Sequence, residues 1–260
     1  MQPFNSAGEF GVTQLRSGKK PFERKPARQA SVDQPQPTEL EIAQVVGRAF
    51  PRAQPETRRA LVAIGDIRTF HAGETVIAQG DDRRTVFLLD GHLGIRRTTL
   101  DGREVIPSVV STGQLASLMP IAGRPAAAEA VALSSCRVAL WPGMNLDALA
   151  AADAGFALDL LEHALLAFEA IMERVDGLQH QDARRRVARV LEQHADILLG
   201  DVAVVPRTYL PALVGTSREM TGRVLRGLEA DGVVARLGRD RLRLLDAPRL
   251  AQIAAARSTP

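Results

Sequence analysis

The chain has 260 residues, 45% of them hydrophobic and 24% charged, the balance of a globular protein with room for two modest cores. Its single cysteine, Cys136, excludes an internal disulfide, a cysteine-ligated iron–sulfur cluster and a structural zinc site, and fits a reducing compartment. The net charge of +3 is unevenly spread: residues 183–260 hold 14 arginines against 8 acids and residues 38–182 hold 13 against 19, so the carboxy-terminal segment is the one suited to a polyanion.

Residues 1–37 mix Gly, Pro, Gln and basic residues without a period, as in a disordered tail, and carry no candidate site. They hold no apolar core of signal-peptide length, and nothing later offers the roughly 20 apolar residues that span a bilayer. A cytoplasmic protein without a membrane partner is expected. Residues 39–50 place Leu40, Ile42, Ala43, Val45, Val46 and Ala49 on a short helix that Pro51 stops.

Between Ile67 and Trp141 the pattern changes to strand-sized runs at 75–77, 85–89, 94–97, 105–110 and 137–140. Turn signals separate them: His71-Ala72-Gly73-Glu74, Gln79-Gly80-Asp81-Asp82, Asp90-Gly91-His92 and Asp101-Gly102-Arg103. Such spacing predicts a small antiparallel barrel or roll over residues 38–152. A cupin-like metal enzyme built on this roll would need clustered histidines and acids; His71 and His92 have no His-x-His partner, so no metal site and no enzyme are expected.

Residues 153–180 then run without proline and set Leu161, Ala164, Phe168, Ile171, Val175 and Leu178 at steps of three and four, a heptad seam on a long dimerisation helix. Leu160 and Leu165 beside it form a second apolar flank for packing on the chain's own roll. A buried helix of a monomer would show a similar period, so both readings stay open at this point. Gln179 to Asp182 read as a polar hinge, followed by an amphipathic helix with Val187, Val190, Leu191, Ala195 and Leu198 inward.

The densest signal lies at 207–227, RTYLPALVGTSREMTGRVLRG. A first helix turns Leu210, Leu213 and Val214 inward, Gly215-Thr216 makes the turn, and Ser217 or Thr216 caps a second helix that buries Val224, Leu225 and Leu228. Arg218, Glu219, Thr221-Gly222 and Arg223 crowd the opposite face near its amino terminus, the part of this motif that enters the major groove. Arginine forks match guanine, and a carboxylate accepts from the cytosine amino group, so Arg218, Glu219 and Arg223 are candidate base contacts on a G·C-containing half-site. Glu219 is equally placed to pair with Arg223 within the helix. Arg226, Arg236, Arg239, Arg241 and Arg243 suit phosphates, the last three on a hairpin wing around Gly238-Arg239-Asp240.

The string SREMTGRVLRGLEADGVV, 217–234, resembles the recognition helix and wing of the cyclic-AMP receptor protein (CRP/FNR) superfamily, whose usual form is SRETVGR followed by a Leu-Glu pair. LLDGHLGIRRTTLDGREVIPSVVSTGQL, 88–115, is similar to that family's cyclic-nucleotide-binding roll. The resemblance covers about 39–250. It implies an α+β fold: an amino-terminal antiparallel β-roll, a long dimerisation helix and a carboxy-terminal winged helix-turn-helix over 181–260. It also implies base contacts at Arg218, Glu219 and Arg223, backbone contacts at Thr208 and Ser217 beside Arg226, Arg239 and Arg241, and a homodimer on palindromic double-stranded DNA with RNA polymerase as a further partner. Met220 departs from the family's threonine.

The sensing end departs further. The family's Gly-Glu pair and Arg-Ser-Ala run are replaced by Ala116-Ser117 and Ala126-Ala127-Ala128, and its adenine-contacting Thr-Ser pair by Ile171-Met172. Cyclic AMP is therefore not the expected effector, and Arg124 would compensate only if its loop shifted. The effector pocket is assigned to Ser117, Arg124, Ala126, Ala127, Ile171 and Met172. Haem, used elsewhere in the superfamily, would find His71, His92, His163 and His180, none with a diagnostic neighbour. The effector is left unknown, and a regulator with a closed, vestigial pocket is the alternative.

Overall fold

The computed structural model describes residues 38–80, 83–98, 104–200, 204–238 and 240–256. The expected tail at 1–37, turn positions 81–82 and 101–103, and Arg239 lie outside them. Helix α1 (Glu39–Ala49) opens on a capping box in which the Thr38 hydroxyl accepts from Glu41 N and the Glu41 carboxylate accepts from Thr38 N. It ends at Phe50, before Pro51. A second helix, α2 (Pro55–Ala63), begins on proline, whose fixed φ suits the first helical position. The periodicity had not suggested it, because Arg58 and Arg59 interrupt its apolar residues and only Thr57 and Leu61 are buried.

Eight strands follow: β1 (Asp66–Phe70), β2 (Thr75–Ile77), β3 (Arg84–Asp90), β4 (Leu93–Thr98), β5 (Glu104–Val110), β6 (Leu115–Ala116), β7 (Glu129–Ala132) and β8 (Cys136–Pro142). They form two four-stranded antiparallel sheets, ordered β1-β8-β3-β6 and β2-β7-β4-β5. Period-two alternation explains how β3 can be apolar on both faces. Val86 and Leu88 point into the roll with Val138 and Leu140 of β8, while Phe87 and Leu89 point outward with Ala139 and Trp141. That outer face is covered by α1, α2, α3 (Gly143–Ala152) and the start of α4 (Ala154–His180).

Phe50, Phe87, Trp141 and Phe156 form the centre of this second core, with ring centroids 4.7 to 5.9 Å apart, and the Trp141 indole donates to Leu61 O at 2.9 Å. Asp153 caps α4 by accepting from Phe156 N, and its other oxygen accepts from Gln54 N and the Thr57 hydroxyl, each at 2.7 Å. One carboxylate thus ties the entry of α2 to the entry of α4, and these donors hold it below the usual aspartate range, the Thr57 hydroxyl foremost.

The outer face of the other sheet does something different. Ile106 of β5, Val131 of β7 and Leu133 share one buried cluster with the carboxy-terminal helices. Those helices are α5 (Ala183–Gln193), the single turn α6 (Ala195–Leu198), α7 (Leu210–Val214), α8 (Arg218–Ala230) and α9 (Ala247–Ala255), with β9 (Val234–Leu237) paired antiparallel to β10 (Arg241–Leu244). The described carboxy-terminal residues therefore pack directly on the roll.

Three expectations change. The long helix runs through Gln179 and His180, so the break between domains is confined to Gln181 and Asp182, the latter capping α5 by accepting from Arg185 N. Leu165 is exposed rather than packed on the roll; Leu160, five residues earlier, takes that role. Ala195 and Leu198 sit on α6, separated from α5 by His194, whose φ and ψ leave the helical region.

Candidate nucleic-acid interface

The interface is assembled around the turn at Gly215. A short 3-10 turn at Arg207–Tyr209 leads into α7, whose Leu210, Leu213 and Val214 are buried. Gly215 then adopts φ +71°, where a side chain would be strained, and an added Cβ would come within 3.1 Å of the Arg174 guanidinium. Ser217, not Thr216, caps α8 by accepting from Met220 N at 3.1 Å.

From that cap the helix exposes Arg218, Glu219, Arg223 and Arg226 and buries Leu225 and Leu228. Thr221, expected on the polar face, is buried; its hydroxyl donates to Ser217 O at 3.0 Å, which satisfies it inside. Met220, Gly222 and Val224 are only partly covered. Glu219 and Arg223 pair at 3.1 Å along the helix, so the carboxylate holds the guanidinium in place on the same exposed surface. Thr208, Ser217, Arg241 and Arg243 are exposed nearby in the chain, whereas Arg236 is engaged by Glu229 at 2.9 Å. The β9–β10 hairpin turns at Gly238, φ +63°, immediately before the undescribed Arg239.

The proposed seam of α4 lies open in the single chain: Leu161, Ala164, Phe168, Ile171, Val175 and Leu178 are all exposed, as are Leu165 and Met172 beside them. Eight such residues on one helix are more than a solvated surface ordinarily carries.

The residues assigned to an effector pocket are dispersed in character. Ala126 is buried in the roll interior, Ala127 and Arg124 are exposed on the following and preceding loop, and Ile171 and Met172 are exposed on α4. Ser117 has φ +61° and a buried hydroxyl with no hydrogen-bond partner among the described residues. Cys136 is buried, and desolvation pushes its thiol up to about 12, which leaves it inert as a nucleophile at neutral pH. Of the histidines considered for haem, the His163 ring lies 3.1 Å from Ala49 O against Phe50, and the His180 ring lies 3.3 Å from Asp176 O. Among the described residues no group of three His, Cys, Asp or Glu could hold a metal, and no helix is long and apolar enough to cross a membrane.

Sequence reasoning missed Arg174. It is the lone arginine of α4, and it reaches off the seam to donate to Leu213 O and, at 3.2 Å, to Ala212 O. These carbonyls belong to the last turn of α7, where no helical partner remains for them. A solitary arginine among Glu162, Glu169, Glu173 and Asp176 was the available signal.

A β-roll joined through one long helix to a winged helix-turn-helix is the build of a DNA-binding transcription regulator. Comparison with known proteins agrees. Residues 67–153 match the cyclic nucleotide-binding domain and residues 185–253 the Crp-like helix-turn-helix domain. A curated relative, the cyclic AMP receptor protein of Thermus thermophilus, is 34% identical over 197 residues, which cover 72% of this chain and 87% of that protein. The chain belongs to the CRP/FNR family of transcription regulators. Solved structures share the fold: FixK2 from Bradyrhizobium japonicum superposes with a TM-score of 0.65 at 18% identity, covering 75% of this chain and all of that one. A CRP-family transcriptional regulator from Thermus thermophilus gives 0.64 at 21% identity over 74% of this chain and 98% of its own.

Proposed function

We propose that two copies of the chain pair along α4 and present their α8 helices to successive major-groove faces of a palindromic, G·C-containing site. Arg218, Glu219 and Arg223 read bases; Thr208, Ser217, Arg226, Arg239 and Arg241 hold phosphates and set the register. In this reading residues 38–152 sense, 153–180 pair the chains and transmit, 181–260 read DNA, and RNA polymerase is the downstream partner. The observation that carries it is the Ser217-capped amino-terminal end of α8, where three long charged side chains stand exposed on a helix whose other face is buried.

The effector is one other than cyclic AMP. The Thermus relative carries that nucleotide in its name, but here an anionic phosphate in the roll would meet Ala126 and Ala127 where the family places a guanidinium, and Arg124 points its charge to solvent. A second reading, a constitutive regulator with a closed pocket, is favoured by the burial of Ala116 and Ala126 inside the packed roll. Selection from a random-sequence DNA pool tests the DNA-reading proposal: the wild type should enrich a palindrome, and Arg218→Ala should lose preference at one position of each half-site while keeping salt-sensitive binding. An unaltered consensus would overturn the base contact. Measuring affinity for the enriched site with and without a panel of nucleotides and haem separates the gated from the constitutive reading.

A further inference from the structure

A cavity of about 290 Å³ opens where β5, α4, α5 and α7 meet, beside the break at Gln181. None of the six residues assigned to the roll's effector pocket lines it. Its walls combine apolar and cationic side chains with other polar ones, the acid Glu173 and His194 among them. Ile106, Val109, Ala170, Val190, Leu213 and Val214 supply an apolar surface, and Arg174, Arg186 and Arg189 supply cations.

Only one of these cations is matched by an acid. Arg189 approaches Glu173 at 3.7 Å, and Gln193 also leans on that carboxylate. Arg174 spends its donors on the two α7 carbonyls, and Arg186 gives Nη1 to Gln181 O at 2.6 Å. Neither meets a carboxylate among the described residues. The Arg186 Nε and the Gln181 Oε1 are buried without any hydrogen-bond partner there. Burial, with Arg186 as a like charge nearby, pushes Arg174 down to about 10, and of the three arginines only Arg189 has a carboxylate beside it, that of Glu173, so the cavity carries an excess of positive charge.

We propose that this hinge cavity binds a small organic anion, with a carboxylate or phosphate head between Arg174 and Arg186 and a compact apolar body against Ile106, Val109 and Val190. The volume lies at the lower end of ligand sites, which admits a body the size of a single ring and excludes a dinucleotide. The head supplies the counter-charge that Arg174 and Arg186 lack, and the unpaired Nε gains an acceptor. Because Arg174 also holds the last carbonyls of α7, an anion that draws on its donors loosens the tie between α4 and the helix-turn-helix. Only that consequence for DNA rests on the proposed DNA-reading function; the binding site does not.

The experiment is isothermal titration calorimetry on the full chain, without DNA, using phenyl phosphate, benzoate and the neutral benzyl alcohol. The two anions should bind saturably and benzyl alcohol should not. Arg186→Gln should weaken anion binding by about tenfold, roughly the 1.4 kcal/mol at the low end for a charge-assisted contact. Ala170→Phe, at an exposed helix position that tolerates a larger side chain, should fill the cavity and abolish binding even if the arginine variant fails to fold. No saturable heat from either anion at millimolar concentration overturns the site. Binding unchanged in both variants places the ligand elsewhere and also overturns it, and equal binding of benzyl alcohol overturns the anionic class.

Discussion

Phe168 is 60% exposed at the middle of the α4 seam, with Ile171 one turn on, Val175 two turns on and Ala164 one turn back. Its truncation to alanine removes contacts that exist only if two chains meet there. Complete burial of a phenylalanine side chain is worth about 1.5–3 kcal/mol, and the exposed part available to a partner scales this to about 1–2. Each dimer contains the residue twice, so Phe168→Ala should cost about 2–4 kcal/mol of association, a dissociation constant roughly 30- to 1,000-fold weaker. Phe168→Asp adds an unpaired charge to the seam and should yield monomer outright. Sedimentation equilibrium over a concentration series reads both, with Leu40→Ala as control, since Leu40 is 68% exposed on α1 and off the seam. Melting followed by circular dichroism at concentrations where the chain is monomeric should be unchanged, because Phe168 buries little within its own chain. A dissociation constant unaffected by Phe168→Ala, or shifted equally by Leu40→Ala, refutes pairing through this face.

Gly91 turns at φ +89°, and a Cβ there would lie 2.4 Å from Ser135 O and 2.7 Å from the Cys136 Cβ; Gly91→Ala should destabilise the fold by about 2–4 kcal/mol in urea titration, and an unchanged midpoint would disprove the steric account. Ser217→Ala should cost about 1 kcal/mol in thermal unfolding by orphaning Met220 N, while Ser217→Asp retains the cap; equal melting of all three would show that the cap contributes nothing. Burial lowers the basicity of His92, His163 and His194, against opposing pulls from Asp196 and Asp90 on His92, Asp159 and Glu162 on His163, and Asp196 on His194. The folded chain therefore binds fewer protons than the unfolded chain, so this contribution is fully present above the ordinary value of about 6.5 and is lost as pH falls below it. Urea midpoints should drop between about pH 7.5 and pH 5.5, less so in His163→Gln, and a flat profile would contradict the burial of these rings.

Much of the fold is legible in the sequence where period and punctuation agree. Thr75 to Ile77, Val86 to Leu89 and Val105 to Val110 alternate or run apolar between glycine turns, and each is a strand. The left-handed turn at Gly215 follows from residue chemistry alone, which also narrows the cap to Thr216 or Ser217; the fold selects Ser217. Elements without such agreement were silent. β7 is Glu-Ala-Val-Ala, in which only Val131 favours a strand; it is held by pairing to both β2 and β4 and by the Glu129 carboxylate, which Arg96 grips through two nitrogens at 2.6 and 2.8 Å. α3, Gly-Met-Asn-Leu-Asp-Ala-Leu-Ala-Ala-Ala, has too little polar contrast for a period to register. Thr221 misled because its hydroxyl reads as polar, although a helical threonine can satisfy it on the backbone four residues back. The exposed charged residues of α8 could be named in advance because they are local to one motif. The cavity at the hinge could not, since Ile106, Arg174, Arg186 and Leu213 come from four elements that only the tertiary fold brings together.

That convergence constrains how a signal could reach α8. Ile106, Val131 and Leu133 are each at most 1% exposed and belong to the same cluster as Leu213, Val214 and Leu225, so lifting the helix-turn-helix off the roll would return a substantial apolar surface to water. Sliding along that surface keeps the apolar contact and exchanges only polar ones. Among the described residues the polar ties at risk include the Arg174 donors to Ala212 and Leu213, and the pairing of Arg189 and Gln193 with the Glu173 carboxylate. Each connects α4 to the reading domain within two turns of Val175 on the proposed dimer seam. A ligand that changes the occupancy of those donors acts on contacts of a few kcal/mol at most, the scale on which a packed interface shifts between arrangements without coming apart.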